Sequence, residues 1–276
     1  MAYQRRAGGG ITILIAIVMA VFALFRYFGS SSVNEVTGEK QRVAGISPQQ
    51  EIALGLQAAP SMMRQFGGEA RDARGQELVD RVGAAVVRNS AASKTPYRYE
   101  FHLLADNQTI NAFALPGGQI FITEALLRRL QTEGQLAGVL GHEVGHVVAR
   151  HSAEQIAKQQ LTQGLTGAAV LATYNPDDPN SRNSAAVIAA IGQLVNMKFG
   201  REDELESDKL GVRFLGESGY DPRAMIGVME ILQKAGGGGR QPEFFSTHPN
   251  PENRIGKIKQ AIQQTYPNGI PSGLKP

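Results

Sequence analysis

The chain has 276 residues, 42% of them apolar and 19% charged, an ordinary globular composition long enough to bury one substantial core. A net charge of +3, spread over scattered basic residues, excludes nucleic acid as the expected partner. With no cysteine in the sequence, disulfides and a lipid-modified N-terminal cysteine are both excluded.

Arg5 and Arg6 precede an apolar run over residues 11–25. As a helix this run is about 22 Å long, and its flanking glycines and Arg26-Tyr27-Phe28 extend it towards the roughly 30 Å of a bilayer core. The expectation is one N-terminal transmembrane helix over residues 1–28. A signal peptide ending near Gly29-Ser30-Ser31-Ser32 is the alternative. Arginines ahead of the run keep the N-terminus cytoplasmic and put the rest of the chain outside. Residues 29–46 are polar and read as a linker.

Ser47-Pro48-Gln49-Gln50 opens a helix to about Gln65, with a cap, a proline in the first turn and a glutamine three residues on. A second amphipathic helix, residues 72–88, buries Leu78, Val79, Val82 and Val86. Residues 97–104 alternate and predict a strand, with His102 on its face. Residues 110–115 and 119–123 flank the turn Pro116-Gly117-Gly118, which completes a small antiparallel sheet. If Asn111-Ala112-Phe113 forms its outer edge, free backbone groups there can pair with an extended substrate. The bland reading is a covered edge.

Thr132 caps the next helix, with Gln135 placed to complete a capping box. An apolar stripe of Leu136, Leu140, Val144 and Val147 surrounds His142-Glu143-Val144-Gly145-His146. This is H-E-x-x-H. In a helix the two imidazoles share one face, about 40° apart, and can grip one zinc ion. Glu143 stands beside the metal, where a general base belongs. A pair of hydrogen-bonded core histidines is the bland alternative, but it leaves Glu143 buried without compensation. His151, five residues past His146, would be turned about 140° off the ligand face of a continuing helix. It reads as a solvated or a helix-end residue.

Residues 161–174 and 184–197 are apolar and small, split by a polar loop over 175–183. They predict a helical hairpin. In the following helix Glu204 and Asp208 share a face at i,i+4. Glu204 is a candidate third ligand, and Asp208 a candidate acceptor for the spare N–H of a ligand histidine. Glu206 points the other way, and Glu202 and Asp203 complement the helix dipole. Another helix follows Asp221-Pro222 and runs to about Lys234. Gly236 to Gly239 form a flexible joint. A last helix is capped by Asn250 and starts at Pro251. His248, just ahead of it, could donate to the oxyanion of a tetrahedral intermediate, swing onto the metal, or simply cap the loop. Arg254 would brace this loop against acidic residues. Residues 266–276 read as a flexible tail.

His142-Glu143-x-x-His146, followed by Arg201-x-x-Glu204-x-x-x-Asp208, resembles the zinc metallopeptidases of the CAAX prenyl protease type. These include HtpX-, Oma- and β-barrel assembly-enhancing protease-like members. Asn111-Ala-Phe-Ala-Leu-Pro-Gly-Gly-Gln-Ile-Phe-Ile-Thr123 resembles the family's hairpin, and Ser246-Thr-His-Pro249 with Arg254 its C-terminal motif. Ser207 stands where the family usually has Ala. The resemblance implies an α+β, mainly helical zincin-like domain over residues 47–265. It also implies one Zn²⁺ on His142, His146 and Glu204, with Asp208 behind a ligand.

The expected function is a zinc metalloendopeptidase acting on misfolded or membrane-associated polypeptides in envelope quality control. It would be anchored in the inner membrane with its catalytic domain in the periplasm. The alternative is a periplasmic chaperone or assembly factor that binds unfolded chains and cuts them little. An intramembrane prenyl-peptide protease would need more than one span.

Overall fold

A computed structural model describes residues 8–173, 199–236, 242–250 and 252–276. Side chains are described from residue 13 onward and, in the long helix beginning at His151, as far as residue 165. The chain divides into two compact units, one of residues 1–33, 40–46 and 153–196, the other of residues 34–39, 47–152 and 197–276.

The smaller unit holds helix α1 (Gly8–Phe28) and the antiparallel hairpin of β1 (Ser31–Val33) and β2 (Lys40–Arg42), paired Ser31 to Arg42. The segment expected to be a plain linker therefore contains sheet structure. Most of helix α6 (His151–Thr173) also belongs to this unit. Val43, Ile46 and Ala153 bury a small apolar cluster. Arg26 donates to the Ala44 carbonyl at 3.3 Å, and the Ser30 hydroxyl accepts from the Ala44 N–H at 3.0 Å.

Large apolar side chains of α1, among them Leu14, Val18, Phe22 and Phe25, face outward. Among the described residues, however, no helix is long and apolar enough to cross a membrane. The described apolar side chains from Ile13 to Phe25 cover only about 20 Å of helix. The expected transmembrane span is therefore not borne out. The second arm of the expected helical hairpin, its polar loop, residues 237–239 of the glycine joint and Pro251 lie outside the described residues.

The larger unit is mainly helical around a three-stranded sheet. Helices α2 (Pro48–Gln65) and α3 (Ala73–Arg88) start where their caps predict. Ser47 closes a full capping box with Gln50, and Asp72 accepts from the Gly75 N–H. Strands β3 (Glu100–Leu104), β4 (Ala112–Ala114) and β5 (Gln119–Thr123) lie in the order β3-β5-β4. β4 and β5 form the expected antiparallel hairpin, but β3 runs parallel to β5, so the sheet is mixed. The connection explains this. After β3 the chain traverses Asp106 to Ile110 and enters β4 on the far side of β5, which leaves β3 and β5 pointing the same way. Gly117, at φ +82°, makes the tight turn, and a Cβ there would lie 2.3 Å from the Ile52 Cα.

The two outer strands are treated differently. Along β3 the Gln76 amide bonds the Phe101 carbonyl and the Leu103 N–H, both at 2.8 Å, as a neighbouring strand would. In the β4–β5 ladder Thr123 N–H bonds Asn111 O at 3.0 Å and Leu115 N–H bonds Gln119 O at 2.8 Å. That phase turns the backbone groups of Ala112 and Ala114 away from β5.

After the short helix α4 (Glu124–Leu127), helix α5 (Glu133–Val148) runs through the centre. It packs on α3, on α7 (Arg201–Glu217) and on α8 (Ala224–Gly236). Thr132 caps α5 as expected, but the Gln135 side chain accepts from Gln131 N–H, so the capping box is not closed. Gly145 sets the approach of α5 to α7, since a Cβ there would meet the Ser207 Oγ at 2.8 Å. Helix α9 (Phe244–Thr247) precedes His248. Helix α10 (Arg254–Thr265) begins three residues later than expected, because Asn253 adopts a left-handed conformation, φ +57°, and ends the loop there. The tail does not hang free. Lys275 pairs with Gly219 and Asp221, and the Pro276 carbonyl accepts from Gly134 N–H at 2.8 Å, occupying one of the unpaired donors at the start of α5.

Candidate metal centre

Helix α5 presents His142 and His146 on one face, and α7 brings Glu204 against them. The Nε2 atoms of the two histidines are 3.0 Å apart. Glu204 places Oε2 at 3.4 Å from His142 Nε2 and Oε1 at 3.4 Å from His146 Nε2. His248 adds Nδ1 at 3.0 Å from Glu204 Oε1 and 3.4 Å from His142 Nε2. One donor atom from each of these four residues lies within 4.8 Å of the others, and all four residues are buried.

The outer nitrogens explain why the inner ones converge. His142 Nδ1 is 2.9 Å from Asp208 Oδ1, so one proton is held there and Nε2 is the nitrogen left to face a cation. His146 Nδ1 is 2.9 Å from a ring nitrogen of His151. Two imidazole nitrogens and a carboxylate facing one another need a cation between them, a proton on His142 Nε2 or a divalent ion in its place. The residues fit a divalent metal, and their imidazole and carboxylate donors suit zinc among others.

Burial opposes charge on His142, but the hydrogen bonds and negative charges of Asp208 and Glu204 outweigh it and raise its pKa to about 9. His146 goes the other way: burial holds it well below the usual histidine value. The two carboxylates also diverge. Burial pushes Glu204 up, but the three surrounding histidines win and hold it well below the usual range. Glu143, equally buried, is raised by that burial. Neither Glu143 oxygen has a hydrogen-bond partner, and the nearest base, His248 Nε2, is 3.6 Å away. Paired carboxyls driven apart in this way take different chemical tasks.

Asp208 does more than orient His142. Arg254, from α10, bonds both its oxygens at 2.8 Å and reaches Glu204 Oε2 at 3.1 Å. The expectation that Arg254 meets acidic groups holds, but those groups belong to the site itself. Ser207 donates to the His142 carbonyl at 2.8 Å and so anchors the ligand helix.

His151 corrects the sequence reading. It is 2% exposed, not solvated. His151 is not carried round by a continuing helical phase, because the helix does not continue. Arg150 takes a left-handed conformation, φ +61°, and α6 starts afresh at His151. That turn carries His151 back beside His146. Buried Glu51 holds it through Arg150 Nε at 2.8 Å and also accepts from the Tyr97 hydroxyl at 3.0 Å. The first helix of this unit, expected to be plain scaffold, thus fixes the end of α5. Glu206 does point away from the Glu204 face, and its Oε2 lies 3.3 Å from His151 Nε2.

Ala112 and Phe113 open β4 and Asn111 immediately precedes it, and this strand packs against α5 and α9. All three are buried, and the Asn111 side-chain oxygen has no partner. Phe244 N–H bonds the Ile110 carbonyl at 3.2 Å, linking this strand to the loop that carries His248.

A profile of Peptidase family M48 matches residues 73–262. The chain is 32% identical over 244 residues to the beta-barrel assembly-enhancing protease of Escherichia coli K12, covering 83% of this chain and 48% of that protein. It is 36% identical over 168 residues to the mitochondrial metalloendopeptidase OMA1 of Schizosaccharomyces pombe, covering 60% and 48%. With the Arabidopsis thaliana protein of the same name it shares 35% over 160 residues, covering 58% and 31%. The chain therefore spans about half the length, or less, of these relatives.

Proposed function

The chain belongs to peptidase family M48, and from that premise we propose that it is a zinc-dependent endopeptidase of the cell envelope that cuts misfolded or membrane-associated polypeptides. The observation that carries this is the convergence of His142, His146 and Glu204, from two helices far apart in sequence, beside a buried carboxyl with no hydrogen-bond partner. When bound, the ion supplies Lewis acidity, polarising the scissile carbonyl and acidifying a water.

Glu143 would take a proton from the attacking water and return it to the leaving amine. Its raised pKa suits a group that must hold a proton between the two transfers. Asp208 and Arg254 keep His142 in the tautomer that leaves Nε2 bare. The outward-turned backbone groups of Ala112 and Ala114 support reading β4 as the strand along which a substrate chain is laid, with Asn111 and Phe113 flanking. The exposed apolar side chains of α1 support attachment to a membrane, and the name of the Escherichia coli relative supports an envelope location.

His248 has two readings. Its Nδ1 stands among the ligand atoms, which supports a latch that closes the site. The oxyanion role requires it to stand off and donate to substrate.

The test is digestion of a casein-type substrate by the full chain, with and without chelator. Glu143→Gln should keep its fold and metal and lose hydrolysis. Normal turnover in that variant refutes the assignment. Suppression of aggregation by the same variant, with no cleavage by the wild type, would favour a chaperone instead. His248→Ala should speed cleavage if the residue is a latch and slow it if it serves the oxyanion.

A further inference from the structure

We propose that His151 is a positioning residue for His146, and that Glu206 in turn positions His151. The inference rests on the metallopeptidase reading and adds to it the means by which the second histidine is held.

Two ring nitrogens 2.9 Å apart, as His146 Nδ1 and His151 Nδ1 are, must have one proton between them. His146 Nε2 faces His142 Nε2 and Glu204 and must be bare to bind a cation. The shared proton therefore resides on His146 Nδ1, and His151 Nδ1 accepts it. His151 then carries its own proton on Nε2, which faces Glu206 Oε2 at 3.3 Å. With His146 Nε2 bare, every N–H has an acceptor in this assignment alone. The reverse tautomer of His151 would set two N–H groups head to head and leave Glu206 facing a lone pair.

Three features hold the relay in place. The left-handed turn at Arg150 returns His151 to His146, and Glu51 fixes that turn. Phe199 stacks on the His146 ring, centroids 3.9 Å apart and 18° from parallel, so the ring cannot swing. Ser207, next to Glu206 on α7, ties that helix to the His142 carbonyl. The ordinary alternative is that His151 only fills space, and a packing role makes a different forecast.

In the full-length protein, Zn²⁺ and Co²⁺ would be titrated against a chelating dye. His151→Leu fills the space without an acceptor. It should weaken binding about 10- to 100-fold, the usual consequence of losing a ligand's outer partner, and alter the visible Co²⁺ spectrum. His151→Asn, whose Oδ1 can accept in place of Nδ1, should recover most of the affinity and the native spectrum. Glu206→Ala should fall between. Wild-type affinity in His151→Leu, or an Asn variant as impaired as the Leu variant, overturns the proposal.

Should the Leu variant not fold, long-range ¹H–¹⁵N imidazole spectra of the metal-loaded wild type decide. His146 should carry its proton on Nδ1 and His151 on Nε2, and a His151 protonated on Nδ1 overturns the relay. A wild-type protein that takes up no metal would sink the peptidase reading and this inference together. Metal uptake unaffected by His151 sinks the inference alone.

Discussion

The flank of the site behind His142 and the flank behind His146 serve the same kind of ligand with different chemistry. Behind His142 lies a full charge, Asp208, itself gripped by both arms of buried Arg254. Behind His146 lies another imidazole, with a carboxylate one step further out and partly open to solvent. Asp208 and Glu204 together raise the pKa of His142 to about 9, while on His146 burial outweighs the pull of Glu204 and holds the pKa well below the usual histidine value. A ligand backed by a carboxylate is the stronger donor, because that charge supports the positive character the ring acquires on binding. The difference teaches that the two histidines of one motif need not be equivalent. One is held mainly by electrostatics, the other mainly by hydrogen-bond direction and by the ring of Phe199.

The largest expected effect comes from breaking the charged flank. Asp208→Ala removes the acceptor of His142 and leaves the Arg254 guanidinium buried beside Glu204 alone. Stripping one partner from a buried ion pair costs about 3–5 kcal/mol, because the remaining charge stays buried. Denaturant unfolding of the metal-free protein should show a loss of this size, and metal affinity should fall as well. On the other flank His151→Leu leaves no buried guanidinium without its partner, so its stability loss should be smaller by comparison. Equal stability losses for the two variants would break the comparison.

The legible and illegible parts of the site divide along the same line. His142, Glu143, His146, Glu204 and Asp208 could be read because each pair lies within one helix, where spacing fixes direction. The caps at Ser47 and Asp72 were legible for the same local reason. His151 was not, because its place depends on a left-handed Arg150. Nothing in the sequence marks that break, since a helix normally ends on Gly or Asn, and a buried Glu51 from a distant helix offsets its strain. Alternation reports a strand but not its direction, so the parallel pairing of β3 with β5 is not legible in the sequence. The membrane span was inferred from the hydropathy of a whole run, and among the described residues no helix meets that requirement. Arg254 was expected to meet acidic residues, but which ones required the fold.

A smaller effect probes the comparison through protons. At pH 7.5 the metal-free site should carry a proton on His142 Nε2, because its pKa of about 9 lies above that pH, and none on His146, held below the usual histidine value. Loading zinc must expel the His142 proton, so binding should release about one proton, not two and not none. Calorimetric titration in two buffers of different ionisation enthalpy measures this number. In Asp208→Ala it should fall well below one, since Asp208 is a leading cause of the raised pKa. A histidine whose folded pKa is raised contributes stability that is complete below its unfolded value and is lost as pH climbs through the folded value. Metal-free protein should therefore lose stability between about pH 6.5 and about pH 9, while metal-loaded protein, with that proton already displaced, should not lose stability through this group. Release of two protons, or a flat metal-free stability profile over that window, would mean that the two flanks are electrostatically alike, and the asymmetry drawn from Asp208 and His151 would fail.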